Sequence, residues 1–92
     1  MNKCVRITVF TNLSDEFLKN SVQKHAQDLN LEGFSQKADE DNYKLIVNGT
    51  KDNVDKFIDL LHKDFIKLDI DDFEIEPYVK DKDYRGVFRV IK

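Results

Sequence analysis

The chain has 92 residues, the usual size of one domain, so we expect residues 1–92 to form a single domain around one core. Apolar residues make up 40% of the sequence and charged residues 36%, a balance that argues against a disordered chain and against a membrane protein. The net charge of -3 gives no electrostatic basis for binding nucleic acid, and residues 1–10 lack the features of a signal peptide, so we expect a cytoplasmic protein.

The first two predicted elements are a strand and a helix. Apolar and polar side chains alternate over residues 4–10, which predicts a strand. From Ser14 onward the apolar positions recur every three or four residues, which predicts an amphipathic helix with Ser14 as its N-cap and with Asn30 and Gly33 as stop signals. The recurring positions are Leu18, Val22, His25, Ala26 and Leu29.

A hairpin and a second helix come next. Residues 34–38 and 43–47 are extended segments on either side of a cluster of turn-forming residues at 39–42. Thr50 then caps a helix whose apolar residues follow the spacing of one helical face. These residues are Val54, Phe57, Ile58 and Leu61.

The remaining segments, residues 70–79 and 84–91, predict a last strand or a terminal hairpin. The resulting order is β-α-β-β-α-β, with room for an extra C-terminal strand. Right-handed crossovers then place both helices on one face of an antiparallel sheet and leave its other face open to water. The predicted fold class is therefore α+β, a ferredoxin-like two-layer sandwich.

A motif at the end of the first helix resembles that of a known family. Residues 26–34 read Ala-x-x-Leu-x-Leu-x-Gly-Phe and are similar to the acylphosphatase signature A-x-x-L-G-L-x-G-W, with Asn30 for glycine and Phe34 for tryptophan. Residues 49–61 fit the family pattern G-x4-V-x2-F-x3-L, and residues 88–90 resemble its closing strand. The resemblance implies the same ferredoxin-like fold.

The resemblance also implies a chemistry. Acylphosphatases hydrolyse carboxyl-phosphate anhydrides without a metal: a glycine-containing loop and an arginine hold the phosphate, and an asparagine orients the attacking water. By this resemblance the loop corresponds to residues 11–18, the arginine position to Lys19 and the asparagine position to Lys37. We treat Lys19 and Lys37 as the candidate anion-binding residues.

These positions depart from what the chemistry needs. The loop holds no glycine and contains Asp15 and Glu16, whose charges repel a phosphate. An ammonium at Lys37 has no acceptor for a hydrogen bond from water. Arg6, Arg85 and Arg89 are the only arginines; Arg6 lies mid-strand, and the other two are candidates only where the last strand runs beside the loop.

We therefore expect an acylphosphatase-like protein that lacks this catalysis and acts by binding a protein or a small-molecule partner. The alternative is a weak acylphosphatase, a hydrolase of acyl phosphates in which Lys19 binds the phosphate. Neither function needs a cofactor or a metal. We expect a monomer with no membrane or nucleic-acid partner.

Other residue types suggest further sites. His25 and His62 are candidate metal ligands, and Cys4 is a candidate reactive thiol, but each is better explained as an ordinary packed or solvated side chain. Ser14, His25 and an aspartate would make a triad on paper, whereas Ser14 followed by acidic residues fits a helix cap. The acidic stretch over residues 64–76 lacks the spacing of a calcium loop and indicates a solvated face.

Aromatic residues raise a last alternative. Phe10, Tyr43 and Phe73 would form a hydrophobic patch for a partner if they shared the uncovered face of the sheet. The opposite interpretation places them in the core beneath the helices. An RNA-binding face is disfavoured, because residues 42–47 lack the glycine and paired aromatic residues of RNA-recognition strands.

Overall fold

The computed structural model describes residues 2–11, 14–70, 72–79 and 84–91, without the side chain of Asp15. The first strand, β1, covers Asn2–Val9, and its alternate residues Val5, Ile7 and Val9 are buried. The predicted hairpin consists of β2 (Glu32–Asp39) and β3 (Asn42–Thr50), which pair antiparallel. At its turn, the Asp39 carboxylate accepts hydrogen bonds from the Asp41 N–H and from the Asn42 side chain.

The first helix, α1, runs without a break through three segments, Asp15–Phe17, Leu18–Gln23 and Lys24–Asp28, and its middle segment is π-helical. The sequence predicts the helix but not its wide middle turn. Leu18, Val22 and Ala26, all buried, are four residues apart. Such a spacing drifts by about 40° per step in an α-helix of 3.6 residues per turn, and a wider turn reduces that drift.

Asn30 ends α1 as predicted, with a left-handed φ of 54°. Gly33 is not a stop signal: it lies inside β2 at φ 140°, where a Cβ would come within 1.8 Å of the Ile46 carbonyl oxygen. The absence of a side chain at Gly33 allows the two strands of the hairpin to approach each other closely.

The second helix, α2, covers Lys51–Lys67. Thr50 caps it as predicted, because its hydroxyl accepts the N–H of Asn53 at 3.3 Å. Four side chains bury one face of this helix. They are Val54, Phe57, Leu61 and Phe65.

The last two strands lie on opposite edges of the sheet, whose order is β4-β1-β3-β2-β5. Strand β4 (Phe73–Pro77) is antiparallel to β1, whereas β5 (Phe88–Ile91) is parallel to β2. Of the two alternatives that the sequence left open, the terminal hairpin is wrong; the extra C-terminal strand is present as β5 and makes the sheet mixed. Two helices on one face of this sheet give the predicted ferredoxin-like α+β architecture.

The helices cover the face of the sheet that carries Val5, Ile7, Leu45, Val47 and Phe88. The sequence analysis predicted that the other face of the sheet is open to water, but part of that face is covered. Ile46 on that face is 1% exposed. Tyr84 packs on Phe34 with ring centroids 5.8 Å apart, and Tyr78 lies under the guanidinium of Arg6. Residues that follow β4 and precede β5 therefore cover part of this second face.

Candidate functional site

The start of α1 is the place where the sequence predicts an anion loop. Here Ser14 acts as the predicted N-cap: its hydroxyl accepts the N–H of Phe17 at 3.0 Å, and its carbonyl accepts the N–H of Leu18 at 3.1 Å. Two N–H groups of the first turn thus already have acceptors within the chain. Asn12 and Leu13, which belong to the predicted loop, lie outside the described residues.

Charge at this turn is negative on the side chains that the structure describes. Glu16 is exposed beside the Ser14 cap. The N–H of Phe10, just before the loop, donates to the carbonyl of Asp72, which holds the strand that precedes the loop against β4. The Phe17 ring packs 6.4 Å from that of Phe65, so the start of α1 lies against the end of α2.

Lys19 and Lys37 are both exposed and belong to the same side of the molecule. Lys19 lies in the π-helical segment of α1. Lys37 lies on β2 directly across from Tyr43, and therefore on the face of the sheet that the helices cover. The pKa of Asp39 is lowered mainly by the hydrogen bond from the Asp41 N–H and then by that from Asn42, and the nearby Lys37 ammonium adds a smaller effect.

Two of the arginines lie on the far face of the sheet. Arg6 is ion-paired with Glu76 there and stacks on Tyr78, 5.6 Å from the ring centroid. Arg89 lies beside Phe34, which is across from Ile46, and Ile46 is across from Arg6. Arg85, exposed at φ 58°, precedes β5. Arg6 and Arg89 are therefore separated from Lys19 and Lys37 by the sheet itself.

The histidines have structural surroundings. The Nε2 atom of His25 lies 3.1 Å from the Asp64 carboxylate of α2, a contact between the helices that sequence spacing did not reveal. Ser14 is eleven residues before His25 on the same helix, about 16 Å along the axis, so they form no triad. His62 is exposed and packs edge-on against Phe73. Within the described ranges, no three potential ligand side chains form a metal site.

The sequence left open whether three aromatic residues form an exposed patch or pack beneath the helices, and the structure supports packing beneath the helices for two of them. Tyr43 is 6% exposed in the core beneath the helices, and the ring of Phe73 packs against Phe65 and His62 of α2. Phe10 lies just beyond β1 and is partly exposed. The three side chains do not make a patch on the uncovered face. Cys4 is partly buried on the far face.

A family model of acylphosphatases matches residues 15–90 of this sequence. The chain belongs to the acylphosphatase family. This result agrees with the motif at residues 26–34 and with the observed order of helices and strands. Membership of the family agrees with the observed fold, and the chemistry of residues 14–19 and Lys37 has to be argued from their own properties.

Solved acylphosphatases have the same fold as this chain. An acylphosphatase from Coxiella burnetii is 23% identical with a TM-score of 0.75, over 98% of this chain and 93% of that one. One from Bacillus subtilis is 14% identical with a TM-score of 0.77, over the full length of both chains. HypF from T. kodakarensis is 17% identical with a TM-score of 0.70. The match covers 100% of this chain and 12% of the HypF chain.

No curated protein is significantly similar to this chain in sequence. Among the helices of the described residues, none is long and apolar enough to span a bilayer.

Proposed function

We propose that this acylphosphatase-family chain is a binding protein that does not hydrolyse acyl phosphates by the family mechanism. The hydrogen bond from the Phe17 N–H to the Ser14 hydroxyl carries the proposal. A phosphate cradle depends on backbone N–H groups that point at the anion. In the predicted anion loop the Phe17 N–H instead donates to the Ser14 side chain. This hydrogen bond supports loss of the anion site.

Electrostatics support the same conclusion. Glu16 is exposed in the turn where the resemblance places the phosphate. A carboxylate about 4 Å from a phosphate oxygen costs roughly 4 kcal/mol per charge pair at an effective dielectric near 20. Binding a dianion here therefore requires compensating cations with fixed geometry.

The available cations supply charge without that geometry. Lys19 and Lys37 stand where the resemblance places the arginine and the asparagine of the family. A lysine presents a mobile point charge rather than the planar fork of a guanidinium. An ammonium also cannot accept a hydrogen bond from an attacking water. Both substitutions favour binding without turnover.

The test is an assay of acyl phosphate hydrolysis. We expect the wild-type protein to release phosphate from benzoyl phosphate no faster than buffer does. Lys19→Ala and a matched control, Lys24→Ala, alter exposed lysines of the same helix and should leave this rate unchanged. Turnover that is lost in Lys19→Ala and kept in Lys24→Ala would instead establish the weak acylphosphatase.

Titration with inorganic phosphate tests the anion site separately from turnover. Amide NMR signals of residues 14–19 should not move as phosphate is added, because the Phe17 N–H is already bonded. A saturable shift confined to these residues would show that the anion site survives.

A further inference from the structure

Strand β4 forms one edge of the sheet in the part of the chain that the structure describes. The Phe10 N–H donates to Asp72 and the Tyr78 N–H donates to Cys4, across the pairing of β4 with β1. In an antiparallel pair such hydrogen-bonded positions alternate with positions whose N–H and C=O groups point away. The backbone groups of Phe73 and Ile75 therefore point outward, at the free edge.

One face of β4 carries a row of carboxylates. Asp72, immediately before β4, and Glu74 and Glu76 within it are all exposed and occupy alternate positions, which places neighbouring acids about 7 Å apart. Glu76 is paired with Arg6 of β1. Within the described residues, Asp72 and Glu74 form no ion pair, so this edge presents uncompensated negative charge.

The other face of β4 carries apolar side chains and packs against α2. Phe73 packs against His62 with ring centroids 5.0 Å apart, so this side of α2 faces the strand. Ile66, one turn beyond His62, is 75% exposed, and Ile75 on the strand is 37% exposed. An apolar side chain on this face of a strand added beside β4 would lie next to Ile75.

A second copy of the chain is a poor occupant of this edge. Two β4 strands paired antiparallel about Ile75 would place Glu74 of each copy opposite Glu76 of the other. Like charges directly opposite one another destabilise a strand pair. Charged side chains on edge strands commonly prevent such self-association, and a strand of opposite charge would not meet this barrier.

We propose that the edge of β4 binds an extended segment of a partner protein in which lysine or arginine alternates with apolar residues. The segment adds as a strand to the outward N–H and C=O groups of Phe73 and Ile75. Its basic side chains lie over Asp72 and Glu74, and its apolar side chains lie beside Ile75, on the side of β4 that faces α2. The inference deepens the proposed binding function and rests on it.

The probe is a capped heptapeptide of alternating lysine and valine, titrated into the full, isotopically labelled chain. Amide signals of residues 73–76 and 62–66 should shift together, and the binding should weaken as salt is added. A peptide with glutamate in place of lysine, and one with the lysines and valines in separate blocks, should not shift these signals.

Two variants test the geometry. Glu74→Lys should weaken binding of the lysine–valine peptide about two- to thirtyfold, because it replaces an opposite charge beside the peptide with a like charge. Ile75→Pro removes an outward N–H without removing a bond to β1, and should abolish binding, whereas Ile75→Thr keeps the N–H and should bind. Glu74→Lys leaves the backbone pairing unchanged, so it tests the inference even where the proline variant does not fold.

Equal binding of the glutamate peptide, or unchanged binding by Glu74→Lys, would overturn the inference. So would a dimer of the wild-type chain, seen by sedimentation, that Glu74→Lys alters, because the occupant would then be a second copy. Benzoyl phosphate hydrolysis is measured on the same sample. Turnover refutes the proposed binding function, whereas failure of the peptide without turnover refutes this inference alone.

Discussion

Ser14 shows how a single side chain affects the chemistry of a turn. Its role as a cap was predictable, because a serine before acidic residues and an apolar repeat satisfies local rules. Its hydrogen bond to the Phe17 N–H also removes a donor from the place where the family holds phosphate. The contact of His25 with Asp64 was not predictable, because the two residues are 39 positions apart and meet only when the helices pack.

Ser35 is a second residue whose surroundings the sequence does not reveal. It is fully buried on β2, and its hydroxyl has no hydrogen-bond partner among the described residues. A buried polar group without a partner costs about 1–3 kcal/mol. We expect Ser35→Ala to raise the free energy of unfolding by about 1 kcal/mol, measured by urea denaturation.

Ser14→Ala provides the opposite control for Ser35→Ala. It removes a helix cap and should lower the free energy of unfolding by about 1 kcal/mol. A loss of stability in Ser35→Ala as well would mean that the buried hydroxyl makes a favourable interaction.

At the scale of elements, local patterns predicted β1, the hairpin and α2 well. Their signals are alternation, turn-forming residues and helical spacing, and each operates over a few residues. The π-helical segment of α1 was not predictable in this way. Its width depends on how Leu18 and Val22 pack on the sheet, which is a property of the assembled core.

Asp55 connects two of these elements and predicts a dependence of stability on pH. Its carboxylate accepts hydrogen bonds from Lys3 of β1 at 2.8 Å and from Lys51 of α2 at 3.0 Å. These bonds lower the pKa of Asp55, that from Lys3 most. A lowered folded-state pKa contributes stability that is present above the unfolded pKa of about 3.9 and is lost as the pH falls through the folded value.

We therefore expect wild-type protein to be more stable than Asp55→Asn at pH 6, and the difference to shrink as the pH falls below about 4. Chemical denaturation over this pH range measures it. Asp59→Asn, also on α2 and exposed, is the control for the loss of one carboxylate from this helix. A constant difference between wild type and Asp55→Asn would contradict the assigned pKa shift.

For the whole molecule, the sequence predicted the class of fold but not the placement of its last two strands. Residues 70–79 and 84–91 both have strand patterns, which left a last strand or a terminal hairpin open. The structure places β4 beside β1 and β5 beside β2, at opposite edges. Both pairings join residues that are far apart in sequence. They depend on β1 and β2 being the outer strands of the sheet that β1, β2 and β3 form.

Glu32 of β2 connects the segment that precedes β5 to the hairpin through hydrogen bonds. Its carboxylate accepts a hydrogen bond from the Asn48 side chain at 2.7 Å and one from the Gly86 N–H at 2.8 Å. Because Asn48 is only 9% exposed, its amide depends on this acceptor. We expect Glu32→Ala to lower the free energy of unfolding by about 2 kcal/mol, measured by urea denaturation.

Glu32→Gln keeps one carbonyl acceptor and should lose less stability than Glu32→Ala. Equal losses in the two variants would indicate that packing of the side chain, rather than its hydrogen bonds, supports the segment before β5.

The placement of β4 and β5 has a consequence for how the protein is made. The ribosome synthesises β1, the hairpin and α2 before either outer strand, so a sheet formed from these three strands alone would have both edges unpaired. Unpaired strands of this kind are sites of aggregation. We therefore expect the new polypeptide to need a chaperone most in the interval before residues 73–77 and 88–91 have paired with these edges.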